Sequence, residues 1–224
     1  MTPATVLVAD GGLLAVDKPA GVPVIPGRTQ EGPVPLQQQL ERALGRKLWV
    51  VHRLDRDTSG VLLFATTAAA HRALSMAFEA GHVRKSYLAL VRGAVPAPLD
   101  LDAPLAPARR SRMRVVREGE EGKPARTLVR PVQSLRDATL VEAVPLTGRT
   151  HQIRVHLLSA GHPLLVDHQY AEPGPLALPG GAVLSRTPLH AAVLTVPAME
   201  GIRAQLITAP LPADMAAAVA ALTP

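Results

Sequence analysis

The sequence predicts an α+β fold built on a mixed, largely antiparallel central sheet flanked by a few helices. Three observations lead there. Segments with strand character outnumber helical ones, they follow one another without interruption through the middle of the chain, and the strict strand–helix alternation of a doubly wound nucleotide-binding fold is missing. With 224 residues, 47% apolar and 19% charged, the chain can bury a core that offsets its conformational entropy, and residues 1–224 read as one catalytic-size domain.

The elements follow in order. Val6–Ala9 and Leu13–Val16 are short apolar strands that lead into a Lys18-Pro19-Ala20-Gly21 turn, in which Lys18 is given a structural part. Leu36, Leu40 and Leu44 repeat at helical spacing and stop at Gly45. Val61–Ala65 is a continuous apolar run suited to a buried strand. Thr67 can cap a helix over 68–80 that sets Ala70, Leu74 and Phe78 on one face and ends at Gly81. Tyr87–Val91, Met113–Val116, Thr127–Val132, Thr139–Val144, Val193–Val196 and Gln205–Thr208 are rich in β-branched or alternating apolar residues and read as strands. Helices are expected at 150–160, with Thr150 as its cap, and at 212–222.

Composition removes whole classes of chemistry. There is no cysteine, which excludes disulfides, zinc–thiolate sites, iron–sulfur clusters and thiolate nucleophiles. The longest apolar runs, such as Val61–Ala65 and Ala216–Leu222, fall far short of the roughly 20 residues that span a bilayer, so a cytoplasmic protein without membrane partners is expected. The five aromatics, Trp49, Phe64, Phe78, Tyr87 and Tyr170, are too few for a platform that stacks many bases. Lysine and arginine exceed acids by 24 to 18, a net charge of +6, so an acidic partner such as nucleic acid is a reasonable expectation. Within 108–130, Arg109, Arg110, Arg112, Arg114, Arg117, Lys123, Arg126 and Arg130 face only Glu118, Glu120 and Glu121. That segment is either a solvated hairpin or a basic arm over a phosphate backbone.

Two segments are dense in reactive side chains. His52-Arg53-Leu54-Asp55-Arg56-Asp57-Thr58-Ser59-Gly60 packs charges and hydroxyls between apolar flanks and ends in turn chemistry, so it reads as a polar loop ahead of the Val61 strand. Thr58 stands one position too early for an aspartyl-phosphate motif. Thr147-Gly148-Arg149-Thr150-His151-Gln152-Ile153-Arg154-Val155-His156 places His151 and Arg154 on one helical face, near a helix start suited to an anion. His151 and His156 diverge by about 140° on a helix, whereas zinc-binding pairs use i, i+4, and no metal site is expected. No P-loop, no G-x-G-x-x-G and no G-x-S-x-G serine occurs, which leaves a carboxylate as nucleophile or base. Asp55, flanked by cations, should stay ionised and suit a nucleophilic or electrostatic role.

The His52–Gly60 segment resembles the signature of the RluA-type pseudouridine synthases. Further segments match that family in the same order: Val16-Asp17-Lys18-Pro19-Ala20-Gly21, Lys85-Ser86-Tyr87-Leu88-Ala89-Leu90-Val91, Thr147–His156, Gly161-His162-Pro163-Leu164-Leu165 and Leu189-His190-Ala191-Ala192. The resemblance implies the synthase catalytic fold with a central active-site cleft, and an enzyme that turns chosen uridines of rRNA or tRNA into pseudouridine without cofactor or metal. Carried over residue by residue, Asp55 is the catalytic carboxylate, Tyr87 lies against the target base and Arg154 pairs with Asp55. His52, Arg53, Arg56, Arg149 and His151 flank these motifs as candidate contacts to RNA phosphate or to the gap left by a flipped base.

No S4-type RNA-binding domain is expected beside this core, and the protein is expected to act as a monomer. Val22-Pro23-Val24-Ile25-Pro26-Gly27-Arg28 is similar to short family members that act on both 23S rRNA and tRNA stem-loops. Val166 stands where the family usually carries glycine; were that glycine left-handed, valine would strain the turn. Two rival readings compete with the synthase. One is a catalytically silent RNA chaperone using the same basic cleft, which loss of the Asp would signal. The other is a metal-dependent phosphoesterase, which needs carboxylates beyond Asp55 and Asp57.

Overall fold

A computed structural model describes residues 4–27, 32–117 and 119–224. Arg28, at the end of the Val22–Arg28 segment, and Glu118, one of the acids of the basic stretch, lie outside the described residues. In chain order the elements begin with β1 (Thr5–Asp10), β2 (Leu13–Lys18), α1 (Leu36–Leu44), β3 (Trp49–Val50), β4 (Ser59–Ala65), α2 (Ala68–Glu79), β5 (Arg84–Arg92), β6 (Leu99–Asp102) and β7 (Leu105–Pro107). They continue with β8 (Met113–Val115), β9 (Arg126–Leu135), β10 (Ala138–Pro145), α3 (Gln152–Ser159), β11 (Leu176–Ala177), β12 (Val183–Leu184), β13 (Leu189–Val196), β14 (Gln205–Thr208) and α4 (Ala213–Leu222). The class is α+β, as the order of strands and helices predicts.

Contacts divide the chain into two compact units, Met1–Lys85 with Ala191–Pro210, and Ser86–His190 with Leu211–Pro224. In the first unit the strand order is β1-β2-β4-β13, with β3 beside β4 and β14 beside β13. Every side chain of β4 is buried, which explains its unbroken apolar run: it is central, antiparallel to β2 from Leu13↔Ala65 to Lys18↔Gly60. Helix α2 is capped as its sequence predicts, with Thr67 Oγ1 accepting from the Ala70 N–H at 3.1 Å. It lays Ala70, Leu74 and Ala77 into a core with Leu13, Val61, Leu63, Leu194 and Ile207.

The second unit carries the order β5-β10-β9-β6. Strand β10 is antiparallel to both β5 and β9. Strand β6 was not apparent in the sequence because Leu-Asp-Leu-Asp has low strand propensity. Pairing with β9 and an exposed Arg126–Asp100 ion pair define it. Helix α4 closes the core of this unit, with Met215, Ala218 and Leu222 packed among Leu90, Leu140, Leu165, Val166 and Leu184. Val166 is fully buried there and is not among the residues of positive φ, so the valine imposes no backbone strain. Instead its Cγ1 fills the space beside Gly174, where a Cβ would come within 2.7 Å of it. Helix α3 starts two residues later than expected: its N-cap is His151, left-handed at φ 54°, and Thr150 does not cap it. The Gln152 side chain, which accepts from the Arg149 N–H at 3.0 Å, ties down the preceding turn instead.

The loop between β3 and β4 carries Asp55 and is tied down on several sides. Lys18 is fully buried, and its ammonium donates to the carbonyls of Pro19, Val22 and Arg56 at 2.9, 2.8 and 2.8 Å. The Gly21 N–H donates to the Arg56 carbonyl at 2.9 Å, and Arg56 Nε returns a bond to the Gly21 carbonyl at 3.0 Å. His52 Nε2 accepts the Leu63 N–H at 3.0 Å, and its ring stacks on Phe78 at 4.7 Å. Burial, reinforced by the nearby Lys85 charge, lowers the His52 pKa to about 3, so the imidazole is neutral with its proton on Nδ1. At the loop's end Gly60 holds φ +108°, and a Cβ there would sit 2.2 Å from the Ala191 carbonyl oxygen.

Two outcomes are expected. Gly60→Ala should lower unfolding free energy by about 3 kcal/mol, combining backbone strain with a clash against β13, as read by urea titration. A wild-type-like midpoint would contradict it. Because the native His52 titrates near 3 and the unfolded one near 6.5, the unfolded chain binds the extra proton between those values. Stability should therefore rise with pH across that window and be lost as pH falls, by at most about 1.4 kcal/mol per pH unit from this residue. His52→Gln, whose amide can still accept from Leu63, should flatten that part of the slope in melting curves taken from pH 7 to 4.

Candidate active site

Asp55 lies in the first unit at the start of a tight turn, where the Thr58 N–H donates to its carbonyl at 3.2 Å. Leu54 before it is buried, Asp55 is half-buried, and Arg56 after it is exposed. Apolar anchoring on one side and the Lys18 clip on the other thus hold the half-buried Asp55 on a loop with little freedom. Thr58 is buried, and its Oγ1 is the described buried side-chain oxygen left without a partner. Arg53 is exposed, while Arg56 spends its Nε on Gly21. His52, a candidate contact to RNA phosphate or to the gap left by a flipped base, is kept neutral by burial and accepts from the β4 backbone through Nε2.

The other site residues lie in the second unit. Tyr87 is on β5 opposite Ala143 of β10, with 9% of its surface exposed. Arg154 projects from the first turn of α3 and is 7% exposed. It meets a carboxylate that the sequence reading did not single out: Nε and Nη2 donate to Asp167 Oδ2 and Oδ1 at 2.8 and 2.7 Å, and Nη2 also reaches Gln169 Oε1 at 3.0 Å. This is a two-pronged pair, and a buried guanidinium needs it. Burial opposes ionisation of Asp167, but the Arg154 bonds and charge, with the N–H groups of Gln169 and Tyr170, outweigh it and hold the carboxyl below its usual range.

His151 and Arg154 are brought together through Tyr170, also absent from the predicted set. The phenol lies 2.7 Å from His151 Nδ1, and the Arg154 guanidinium sits 4.9 Å from the centre of the Tyr170 ring. Arg149 is exposed and donates Nε to the Pro124 carbonyl at 3.0 Å.

His156 is turned into the core. Its Nε2 donates to the Ala103 carbonyl and its Nδ1 accepts from Thr127 Oγ1, both at 2.9 Å, and burial keeps its pKa below the ordinary value. The two histidines of this motif therefore serve different surroundings, in line with their divergence on the helix. Among the described residues no group of three or more His, Asp or Glu side chains is arranged to hold a metal ion, and no helix is long and apolar enough to cross a membrane.

The signals for Asp167 and Tyr170 were present but indirect. Asp167 is an acid directly following the apolar run Leu164–Val166, a place where only a buried partner justifies a charge. Tyr170 is one of five aromatics in the chain, three residues further on.

Residues 12–159 match the family model described as RNA pseudouridylate synthase. The chain is 40% identical over 228 residues to ribosomal large subunit pseudouridine synthase D of Nitrosomonas europaea, covering 98% of this chain and 65% of that protein. It is 41% identical over 198 residues to ribosomal large subunit pseudouridine synthase C of Escherichia coli, covering 84% of this chain and 60% of that one. The chain thus spans about 60–65% of the length of these curated relatives. Among solved structures it is similar to human RNA pseudouridylate synthase domain containing 4, with a TM-score of 0.76 at 26% identity over 97% of this chain and 92% of that one. It is also similar to human RNA pseudouridylate synthase domain containing 1, with a TM-score of 0.78 at 26% identity over 94% and 86%. A family model covering more than half the chain, and relatives about 40% identical over 84–98% of it, show that this chain belongs to the RNA pseudouridylate synthase family.

Proposed function

We propose that this protein isomerises chosen uridines of large-subunit ribosomal RNA to pseudouridine in the cytoplasm, with Asp55 as the catalytic carboxylate and Tyr87 and Arg154 acting on the same nucleotide. The observation that carries the reading is the His52–Gly60 loop. Asp55 is half-buried while the loop backbone is pinned by a buried ammonium, a neutral imidazole and a glycine pressed on β13. Both curated relatives described above are large-subunit synthases by name, which favours rRNA over tRNA as the first substrate to test.

The chemistry needs few groups. The C1′–N1 bond breaks, the ring turns, C1′ bonds to C5, the C5 proton leaves and N1 gains one. Atoms balance within the nucleotide, so no co-reactant is consumed. An ionised carboxylate suits the bond-breaking step, as in retaining glycosidases, because it can bond to or stabilise an electron-poor centre. The uridine must leave its stack, which costs a few kcal/mol that pocket contacts must offset. Tyr87 covers the extruded base and lies ready for the C5 proton. Arg154, held in one plane by Asp167, is proposed to supply the positive charge of the reaction. Arg53, Arg56, Arg149 and His151 are proposed to contact the RNA.

Tritium release from [5-³H]uridine-labelled 23S rRNA, in the presence of EDTA, is the direct test. Wild type should release tritium and Asp55→Ala should reduce the rate by at least about 10³-fold while binding RNA as before, as expected for loss of a group acting covalently or at the bond broken. Release by the variant at the wild-type rate would remove Asp55 from the mechanism. RNA binding without release by wild type would favour the chaperone reading, and release from labelled tRNA alone would move the substrate.

Asp167→Asn should leave Arg154 buried without its counter-charge. The expected losses are about 3–5 kcal/mol of stability and most of kcat, measured below the variant's melting temperature. The Asp167 carboxyl is held below its unfolded pKa, so its stabilisation is present above about pH 4 and disappears as pH falls. The stability gap between wild type and variant should narrow in acid; a gap independent of pH would show that the ion pair is not its source.

A further inference from the structure

The basic hairpin and the Arg154 centre meet at one side chain. Strands β7 and β8 pair in register from Leu105↔Val115 to Pro107↔Met113. The Ala108 N–H closes the turn on the Arg112 carbonyl at 2.8 Å, with Arg110 and Ser111 both left-handed at φ 56° and 57°. Arg114 is neutralised by Glu120, which leaves Arg109, Arg110 and Arg112 as exposed cations at the tip. Three cations in four residues suit a phosphate backbone. A two-stranded hairpin this short does not hold its own direction in water, so what it docks against decides where those charges point.

It docks on Tyr170. The Met113 N–H sits opposite Pro107, which has no N–H to exchange, and donates to the Tyr170 hydroxyl at 2.7 Å. Met113 and Val115 pack with Tyr170 over Leu105, Ala125 and Val155 of α3 and its neighbours. With its oxygen accepting from Met113, the phenol can donate to His151 Nδ1, also at 2.7 Å. The same ring stands against the Arg154 guanidinium at 4.9 Å, and the Tyr170 N–H donates to Asp167 Oδ1 at 3.2 Å. The hydroxyl therefore holds the hairpin backbone and His151, while the ring stands against Arg154 and also touches the hairpin through Met113, Val115 and the Arg112 guanidinium at 5.9 Å.

We propose that Tyr170 is a positioning residue that latches the arginine-tipped β7–β8 hairpin, an RNA-backbone clamp, to the Arg154 centre. The role given to Arg154 rests on the function proposed above; the latch itself does not. A hydroxyl removed from a ring that stays in place separates the two attachments.

The test is a double-mutant cycle on Tyr170 and the hairpin tip, using an in vitro 23S rRNA transcript labelled with [5-³H]uridine. Kd is read by filter binding at several salt concentrations, and KM and kcat by tritium release. Tyr170→Phe should raise Kd and KM about fivefold, the weight of one lost hydrogen bond, and move kcat far less. The Arg109→Ala/Arg110→Ala/Arg112→Ala variant should weaken binding and reduce the salt slope by about 3. Adding Tyr170→Phe to it should change Kd no further, because a latch on a clamp without charge has nothing to position. Tyr170→Leu should also lower kcat, by freeing Arg154. An unchanged Kd in a Tyr170→Phe protein with a wild-type melting temperature would overturn the proposal. So would additive effects in the combined variant. Binding by wild type without turnover would refute the catalytic reading alone, since the cycle on Kd still decides the latch.

Discussion

The buried ammonium of Lys18 is the constraint on which the candidate site depends. A lysine without exposed surface is expensive to desolvate, and here three backbone carbonyls take the place of water. Those carbonyls belong to the Pro19–Val22 turn and to Arg56, next to Asp55 in sequence. The charge is therefore solvated only when turn and loop are correctly apposed, so the cost of burying it becomes a preference for one loop geometry. Loops usually carry function on a scaffold that is stiffer than they are. In this one the stiffness has been built into the loop by backbone acceptors, which differ from a carboxylate in adding no second negative charge.

The second unit treats its buried cation differently. Arg154 is met by the two oxygens of Asp167, in the fork geometry that a planar guanidinium offers and an ammonium does not. The two solutions suit their sites. Lys18 is remote from solvent and orients backbone, where three divergent donors are useful. Arg154 stands beside Tyr170 at the start of a helix, and a two-point pair fixes its plane as well as its position. Hydrogen bonds from the Gln169 and Tyr170 N–H groups stiffen the carboxylate in turn, an outer layer of the kind that holds reactive side chains to within fractions of an ångström.

Much of this was legible in the sequence. The unbroken apolar run of β4, the Thr67 cap and Gly81 stop of α2, and the polar loop before Val61 follow from local rules, because each needs only its own neighbours. What escaped reading depends on partners distant in sequence. Strand β6 exists through β9, and Gln152 at the start of α3, where Thr150 offered the ordinary cap, is anchored by donating to the Arg126 carbonyl 26 residues back at 3.0 Å. His52 shows the same limit at the site: between Val51 and Arg53 it reads as a polar ligand, whereas its acceptor role toward Leu63 depends on how the chain returns as β4. Asp167 and Tyr170 were passed over for the same reason, since their meaning lies in Arg154 and Met113, 13 and 57 residues away.

Val166 illustrates how a departure from a family pattern is absorbed. A glycine is usually retained where φ is positive or where a neighbour presses close. The backbone at 166 is not left-handed, so the first reason does not operate in this chain. The second is inverted: the methyls of Val166 occupy the volume that a side chain at Gly174 would need. The contact pairs a branched side chain with a residue that has none, and the filled volume is what a packed core registers. Position 166 and its neighbour Asp167 therefore answer to separate demands, one to the apolar core beneath and the other to the guanidinium of Arg154. That separation lets the residue type change at one position while the ion pair beside it keeps its geometry.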